Sequence, residues 1–393
     1  MRYRILEKVK KVETVYMYIN YSAKVWCLAS LVLLSTLLSA HAANDLLLMP
    51  AVKTDNPAAS ILLDVVNTGE QLVAVGEHGL ILLSTDQGES WVQSSVPTSV
   101  TLTAVYFPTA QHGWAVGHDG VVLHSSDGGK SWEKQLDGTT INGLLLAQVE
   151  QFIVHKQNEV NSAGDDQLED LEYELENLQY FLNDSKMAVE EGPVRPLIDL
   201  WFKNEREGIV VGTFGMILRT TDGGENWLPI LDRIDNPDGF HYYGIARSGD
   251  SLFIAGEVGT LFRSDDDGQH WERLESPYEG SYFGVVGSLN GDLLAIFGLR
   301  GNAFVSSDGG QNWTTANTPK GTSFGGGLIR SDGSLWLIGN DGTLARSEDG
   351  GADFSISPDP IAGGVSIAEA GDDQLVLVGL KGVSRIVVNK LGQ

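Results

Sequence analysis

The chain has 393 residues and a formal net charge of −26, with 52 acidic and 26 basic side chains. A surface this acidic repels phosphate backbones, which argues against nucleic-acid binding and favours basic partners. The single cysteine, Cys27, excludes an intramolecular disulfide. The eight histidines are scattered without the spacing of a metal site. The composition therefore predicts neither a metal nor a cofactor.

Residues 1–42 have the pattern of a signal peptide. A basic segment precedes an uncharged, mostly apolar run from Val25 to Leu38, and the small residues Ala40 and Ala42 follow it. The run is short for a membrane span. We therefore predict cleavage after Ala42 and export to the periplasm or beyond, with an uncleaved anchor as the alternative. Because Cys27 lies at the start of the apolar run, the pattern does not favour a lipoprotein.

From residue 43 to residue 393, one pattern recurs: an apolar strand, G-x-x-G, a second apolar strand, and S/T-x-D-x-G-x-x-W. The steps between repeats are 40 to 44 residues long, except for one of 95, and this length is typical of a four-stranded propeller blade. The glycine pairs are Gly76/Gly79, Gly117/Gly120, Gly212/Gly215, Gly256/Gly259, Gly298/Gly301, Gly339/Gly342 and Gly379/Gly382. Seven copies predict an all-β, seven-bladed β-propeller. Since a strand follows each pair, we interpret G-x-x-G as a turn and not as a phosphate-binding loop.

Six copies carry the longer motif in strict register. Its aspartates are Asp86, Asp127, Asp222, Asp266, Asp308 and Asp349, and its aromatic residues are Trp91, Trp132, Trp227, Trp271, Trp313 and, in the sixth copy, Phe354. An aspartate can accept hydrogen bonds from its own turn, and tryptophan offers an apolar face for packing between blades. The motif resembles the Asp-box of sialidases and related propellers. That resemblance implies a structural role at the turn between the third and fourth strands.

The long step contains an insertion, residues 141–193. Its leucines follow a heptad spacing at Leu168, Leu171, Leu175, Leu178 and Leu182, and a weaker helical stripe precedes them. The pattern predicts an antiparallel helical hairpin with an acidic outer face. It joins blades two and three on the face that carries the G-x-x-G turns, whereas the Asp-boxes belong to the opposite face. Two interpretations of the hairpin are open: a docking arm beside the propeller mouth, or a solvated decoration.

The seventh copy lacks a box, and the chain ends soon after the strand Val383–Val388. We expect the apolar segment Leu46–Val52 to supply the missing outer strand of blade seven. The ring would then be closed by both ends of the chain, with no exposed edge.

Four basic residues occupy one register just before the box hydroxyl, namely His124, Arg219, Arg263 and Arg346. They could form a patch for an acidic partner, and packing of their stems between blades is the alternative. No nucleophile motif is present. Carboxylates are plentiful, so a secreted, sialidase-like glycoside hydrolase is the alternative function. However, sialidases have six blades and an Arg-Ile-Pro motif, and the stretch Ile61–Gly69 contains no arginine.

The repeats GHDGVVLHSSDGGKSW and GTFGMILRTTDGGENW, seven blades and a signal peptide resemble the photosystem II stability/assembly factor family. The resemblance covers nearly all of the chain after residue 42 except the hairpin. It implies a lumenal or periplasmic, chaperone-like factor that binds a membrane protein during assembly and performs no catalysis. We therefore expect an exported, non-catalytic propeller that binds a membrane protein or membrane complex. The acidic balance and the insertion depart from the family pattern.

Overall fold

The repeats fold into seven antiparallel sheets, six of four strands and one of three. The computed structural model describes residues 45–357, 360–361 and 363–388, so the predicted signal peptide lies outside the described residues. Blade one contains β1 (Leu62–Asn67), β2 (Leu72–Gly76), β3 (Ile81–Ser84) and β4 (Val92–Gln93). Blade two contains β5 (Leu102–Tyr106), β6 (Gly113–Gly117), β7 (Val122–Ser125) and β8 (Glu133–Leu136). Blade three contains β9 (Leu197–Phe202), β10 (Gly208–Gly212), β11 (Ile217–Thr220) and β12 (Leu228–Pro229).

The remaining blades follow the same order. Blade four contains β13 (Tyr242–Ser248), β14 (Ser251–Gly256), β15 (Leu261–Ser264) and β16 (Glu272–Arg273). Blade five contains β17 (Tyr282–Gly287), β18 (Leu294–Gly298), β19 (Ala303–Ser306) and β20 (Thr314–Thr315). Blade six contains β21 (Phe324–Ile329), β22 (Leu335–Gly339), β23 (Leu344–Ser347) and β24 (Ser355–Ile356). Blade seven contains β25 (Gly364–Glu369), β26 (Gln374–Gly379) and β27 (Gly382–Val387).

Seven apolar clusters hold the ring together, one between each pair of neighbouring blades. The second strand of each blade has a neighbouring blade on both of its faces. Strands such as β2 and β10 are therefore buried at every position, which explains their continuous apolar sequence. The predicted seven-bladed propeller is confirmed.

The G-x-x-G turns bring backbones into close approach. A Cβ atom on Gly76 would lie 2.1 Å from the carbonyl oxygen of Ile61, at the entry to the same blade. A Cβ atom on Gly79, where φ is +70°, would lie 2.0 Å from the carbonyl oxygen of Thr98, in the connection to the next blade. The two glycines thus fit the turn of blade one against the two chain segments that enter and leave the blade.

Each Asp-box is a closed set of hydrogen bonds. In blade one, the Ser84 hydroxyl donates to Asp86 Oδ1 over 2.8 Å, and the backbone N–H of Ser90 donates to the same oxygen over 2.9 Å. The Gly88 N–H in turn donates to the Ser84 hydroxyl over 2.8 Å. Hydrogen bonds from Ser90 and Ser84 hold the pKa of Asp86 at about 2. The other five boxes repeat this arrangement at Asp127, Asp222, Asp266, Asp308 and Asp349.

The box tryptophans pack between blades. Trp132 is buried in the cluster between blades one and two, edge-on to Phe107 at 5.9 Å, and its Nε1 donates to the carbonyl oxygen of Gly129 over 2.9 Å. The other members of the set occupy corresponding clusters: Trp91, Trp227, Trp271, Trp313 and Phe354.

The prediction that Leu46–Val52 supplies a fourth strand of blade seven is wrong. Within the described residues, blade seven has three strands, and the segment Leu46–Val52 contains no strand residue. From Leu47 onward this segment lies against the connection between blades one and two. Leu47 is buried beside Val96, and the Ala51 N–H donates to the Val96 carbonyl oxygen over 3.0 Å. Pro50 has no N–H with which to continue a ladder, which disfavours the expected strand.

The seam between blades one and seven is instead closed by side chains. Leu62 and Val65 share a buried cluster with Val376 and other apolar residues of blade seven. The Ser366 hydroxyl donates to Asp64 Oδ1 over 2.7 Å across this seam. Among the described residues, closure therefore rests on packing and a few polar contacts, with no strand shared between the chain ends.

Two helices interrupt the propeller between blades two and three: α1 (Gly138–Ser162) and α2 (Leu168–Glu191). The predicted hairpin is confirmed, although α1 starts three residues before the predicted boundary. Asp137 caps α1 by accepting a hydrogen bond from the Thr140 N–H, and Gly192 ends α2 with a φ of +84°. The predicted leucine row of α2 is half-buried against α1.

Candidate binding site at the hairpin

The hairpin is fixed to blades two and three. At its start, a Cβ atom on Gly120 in the G-x-x-G turn of blade two would lie 2.7 Å from Gly138 Cα. Farther along α1, the side-chain amide of Gln148 donates to the carbonyl oxygen of Pro229 on β12 over 2.7 Å. We call the surface formed by α1, α2 and the G-x-x-G turns the hairpin face.

A cleft of about 710 Å³ lies between the hairpin and the connection from blade three to blade four. The hairpin contributes Phe152 and Phe181, and the G-x-x-G turn of blade three contributes Phe214. Leu231 and Ile234 lie on the opposite wall. A concave, mainly apolar surface with a few polar groups is the usual form of a ligand-binding site.

Arg195 lines the cleft and is only 7% exposed. Its guanidinium donates two hydrogen bonds to the carboxylate of Asp184 on α2, over 2.7 and 2.8 Å. The same group lies over the ring of Phe214, 4.2 Å from its centre. Arg195 thereby fastens the end of the hairpin to the turn of blade three.

Two of the four carboxylates that line the cleft are held in ion pairs. Glu174 binds Lys156 over 2.6 Å, and Asp184 binds Arg195 over 2.7 Å. Hydrogen bonds to Glu159 and Glu174 raise the pKa of Lys156. A glycoside hydrolase needs one carboxyl group that donates a proton and a second that attacks or activates water. The sialidase-like alternative stays a prediction, since Asp232 and Asp235 also line the cleft.

The four basic residues of the shared register lie on four different blades and do not converge. Arg219 Nη2 is 3.0 Å from Glu207 Oε2, and Arg263 Nε is 2.8 Å from Asp265 Oδ1. Arg346 pairs with Glu348 and lies 5.2 Å from the ring centre of Trp336. Each arginine is thus partly neutralised within its own blade, and their binding role stays a prediction.

His124 differs from the three arginines because it belongs to an aromatic stack. Its ring lies 4.6 Å from that of Trp114, which in turn lies 3.8 Å from the ring of Phe202. Burial lowers the pKa of His124, and the neighbouring His112 lowers it further. His124 is therefore poorly suited to carry a positive charge at neutral pH.

Two aspartates on the innermost strands of their blades were not predicted from the sequence. Asp64 on β1 accepts hydrogen bonds from the N–H of Val65 over 2.8 Å and of Val105 over 2.9 Å. Asp199 on β9 accepts from the N–H of Leu200 and of Ile245, each over 2.8 Å. Each carboxylate thus joins its blade to the following one. Both occupy the third place of an apolar-apolar-Asp triplet, the one sequence signal that could have identified them.

Among the described residues, no group of three or more His, Cys, Asp or Glu side chains is arranged to hold a metal ion. Neither α1 nor α2 is long and apolar enough to cross a membrane.

The fold and the boxes define the class of protein: a seven-bladed Asp-box β-propeller with an inserted hairpin. The model of the family described as "Photosynthesis system II assembly factor YCF48" matches residues 83–150 and 184–331. These segments make up more than half of the chain, and the protein belongs to this family.

A curated relative, the photosystem II assembly lipoprotein Ycf48 of Synechococcus sp. (strain CC9902), is 35% identical over 77 residues. This match covers 20% of the chain and only 23% of the relative.

Three solved structures share the fold at low identity. A structure described as YCF48 bound to D1 peptide has a TM-score of 0.56 at 18% identity, covering 86% of this chain and 99% of the other. YCF48 from Cyanidioschyzon merolae has a TM-score of 0.58 at 16% identity, covering 85% and 97%. The WD40 propeller domain of Doa1 has a TM-score of 0.57 at 9% identity, covering 86% and 95%.

Proposed function

We propose that this protein is an exported, non-catalytic assembly factor that binds a membrane protein or membrane complex through its hairpin face. The observation that carries the proposal is the apolar cleft beside the hairpin, on a propeller that belongs to an assembly-factor family. A relative in that family is described as an assembly lipoprotein, and a protein of the same fold is described as bound to a D1 peptide. Both descriptions favour a membrane-protein partner.

The hairpin would adapt this family scaffold to its own partner. The family match stops at residue 150 and resumes at residue 184. The interval contains the distal part of the hairpin, including Phe152 and Phe181 of the cleft wall. The partner of this chain would therefore be selected by residues that lie outside the shared family pattern.

Removing the hairpin should abolish partner capture and leave the propeller folded. Gly138 and Pro193 lie side by side, since a Cβ atom on Gly138 would be 2.8 Å from Pro193 Cα. A short glycine linker can therefore replace residues 139–192. The measurement is enrichment of membrane proteins by the purified chain from detergent-solubilised membranes. We expect the intact chain to enrich one integral membrane protein at least about tenfold over the deletion variant, equivalent to about 1.4 kcal/mol.

Circular dichroism and the thermal midpoint of the deletion variant provide the folding control. Equal enrichment by the intact chain and a folded deletion variant would exclude the hairpin from partner binding.

A further inference from the structure

The outer face of α2 carries a row of large side chains that no described residue covers. Tyr173, Tyr180 and Met187 are 66%, 68% and 55% exposed. They are spaced by seven residues, so they lie on nearly the same side of the helix. The row extends over 14 residues, about 21 Å of helix. Soluble proteins seldom keep such a row in water without a use for it.

The row is distinct from the packing surface of α2. The leucines that contact α1, from Leu168 to Leu182, lie on the opposite side of the helix and are half-buried. The side chains that line the cleft, such as Phe181, lie between these two faces. The row therefore continues the cleft surface outward without serving the hairpin's own stability.

Acidic side chains flank the row. By helical position Glu169, Glu172 and Glu176 lie on this side at the start of α2, with Glu190 and Glu191 at its end. All five are exposed, and none forms an ion pair with a described residue. The two helices together contain ten acidic residues but only two lysines. The apolar row is thus framed by uncompensated negative charge.

The negative charge around the row distinguishes between the partners that could cover it. A second copy of this acidic chain would place like charges opposite each other, and an anionic lipid surface would be repelled in the same way. A basic protein segment, by contrast, is attracted to the flanking glutamates. Apolar side chains that repeat every seven residues on one helix can pack against a similar row on a second helix.

We infer that the Tyr173–Tyr180–Met187 face of α2 binds a basic amphipathic helix of the partner protein. The partner's apolar row packs against the three side chains, and its lysines or arginines pair with the flanking glutamates. This inference rests on the proposed function, which makes the partner a protein. It goes further because it assigns the binding surface on α2 and the chemistry of the bound segment.

The test uses a fluorescent 18-residue peptide with leucine at heptad positions and lysine at the others, titrated with the full chain. Replacing the row by Tyr173→Ser, Tyr180→Ser and Met187→Ser should raise the Kd about tenfold or more, because truncating a few central anchors removes most of the binding energy. The matched control replaces three exposed apolar residues away from the hairpin face: Val92→Ser, Leu289→Ser and Ile356→Ser. We expect the control to leave the Kd within about twofold.

A second pair of variants tests the charges. Glu169→Gln, Glu172→Gln and Glu176→Gln should raise the Kd and flatten its dependence on salt. The control changes three exposed glutamates on the blades, Glu70→Gln, Glu225→Gln and Glu272→Gln, and should change the Kd little. Equal effects in test and control variants would mean unspecific attraction to an acidic protein and would overturn the inference. Loss of membrane capture on hairpin deletion but not in the row variants would overturn it while leaving the proposed function standing.

Discussion

Gly79→Ala is expected to destabilise the propeller by about 3 kcal/mol or more. The positive φ costs an alanine about 1 kcal/mol, and the new Cβ would lie 2.0 Å from the Thr98 carbonyl oxygen. Overpacking against a backbone atom adds about 1–3 kcal/mol. Because the turn and the connection between blades one and two cannot both keep their places, the neighbouring blades must shift.

Gly69→Ala is the matched control for this prediction. Gly69 also has a positive φ, +89°, but no atom lies within 4 Å of the position that a Cβ would take. We expect a loss of only about 1 kcal/mol there. The measurement is the urea midpoint of both variants and of the parent chain. Similar losses in the two variants would show that close approach is not the reason for glycine in the G-x-x-G turns.

The second large effect is a loss of stability as the pH rises from about 4 to about 7, caused by Asp199. Burial raises the pKa of Asp199 from 3.8 to about 7, and the negative charge of Asp64 adds to the increase. In the folded chain Asp199 therefore keeps its proton at pH values where the unfolded chain has lost it. Its stabilising contribution is fully present below pH 3.8 and is lost as the pH rises through 7, by about 4 kcal/mol in all.

Asp199→Asn isolates this effect because an amide does not titrate. The free energy of unfolding of the parent chain should fall relative to that of the variant between pH 4 and pH 8. The box aspartates do not disturb this comparison. Their pKa values are lowered, for example to about 2 at Asp308, so their contribution is lost only as the pH falls below about 4. Parallel pH profiles for parent and variant would contradict the account of Asp199.

The repeat could be predicted from sequence because its contacts are local. Ser84, Asp86 and Gly88 bond to one another within a single turn, so the same few residues must recur wherever the turn recurs. The heptad leucines of α2 were equally informative, because the surface that they cover belongs to the adjoining helix. The number of blades, the positions of the turns and the presence of the hairpin all follow from local patterns of this kind.

The ring closure and the cleft depend on contacts between distant segments. Leu47 is as apolar as any strand residue, but its burial beside Val96 is visible only in three dimensions. Phe152, Phe214 and Ile234 reach one cleft from a helix, a turn and a loop, and no spacing in the chain joins them. Asp64 and Asp199 occur in only two of seven blades, so they are not part of the repeat, and only the apolar-apolar-Asp triplet marks them in the sequence.

Site-specific photo-crosslinking can show whether the partner binds the hairpin face. The photoreactive residue benzoylphenylalanine would replace Tyr180 or Phe214 on the hairpin face, and Lys130 or Gln311 on the Asp-box face, all exposed positions. We expect Tyr180 and Phe214 to crosslink to one and the same membrane protein, and Lys130 and Gln311 not to do so. Crosslinks to a membrane protein from Lys130 or Gln311, with Tyr180 and Phe214 silent, would contradict this expectation.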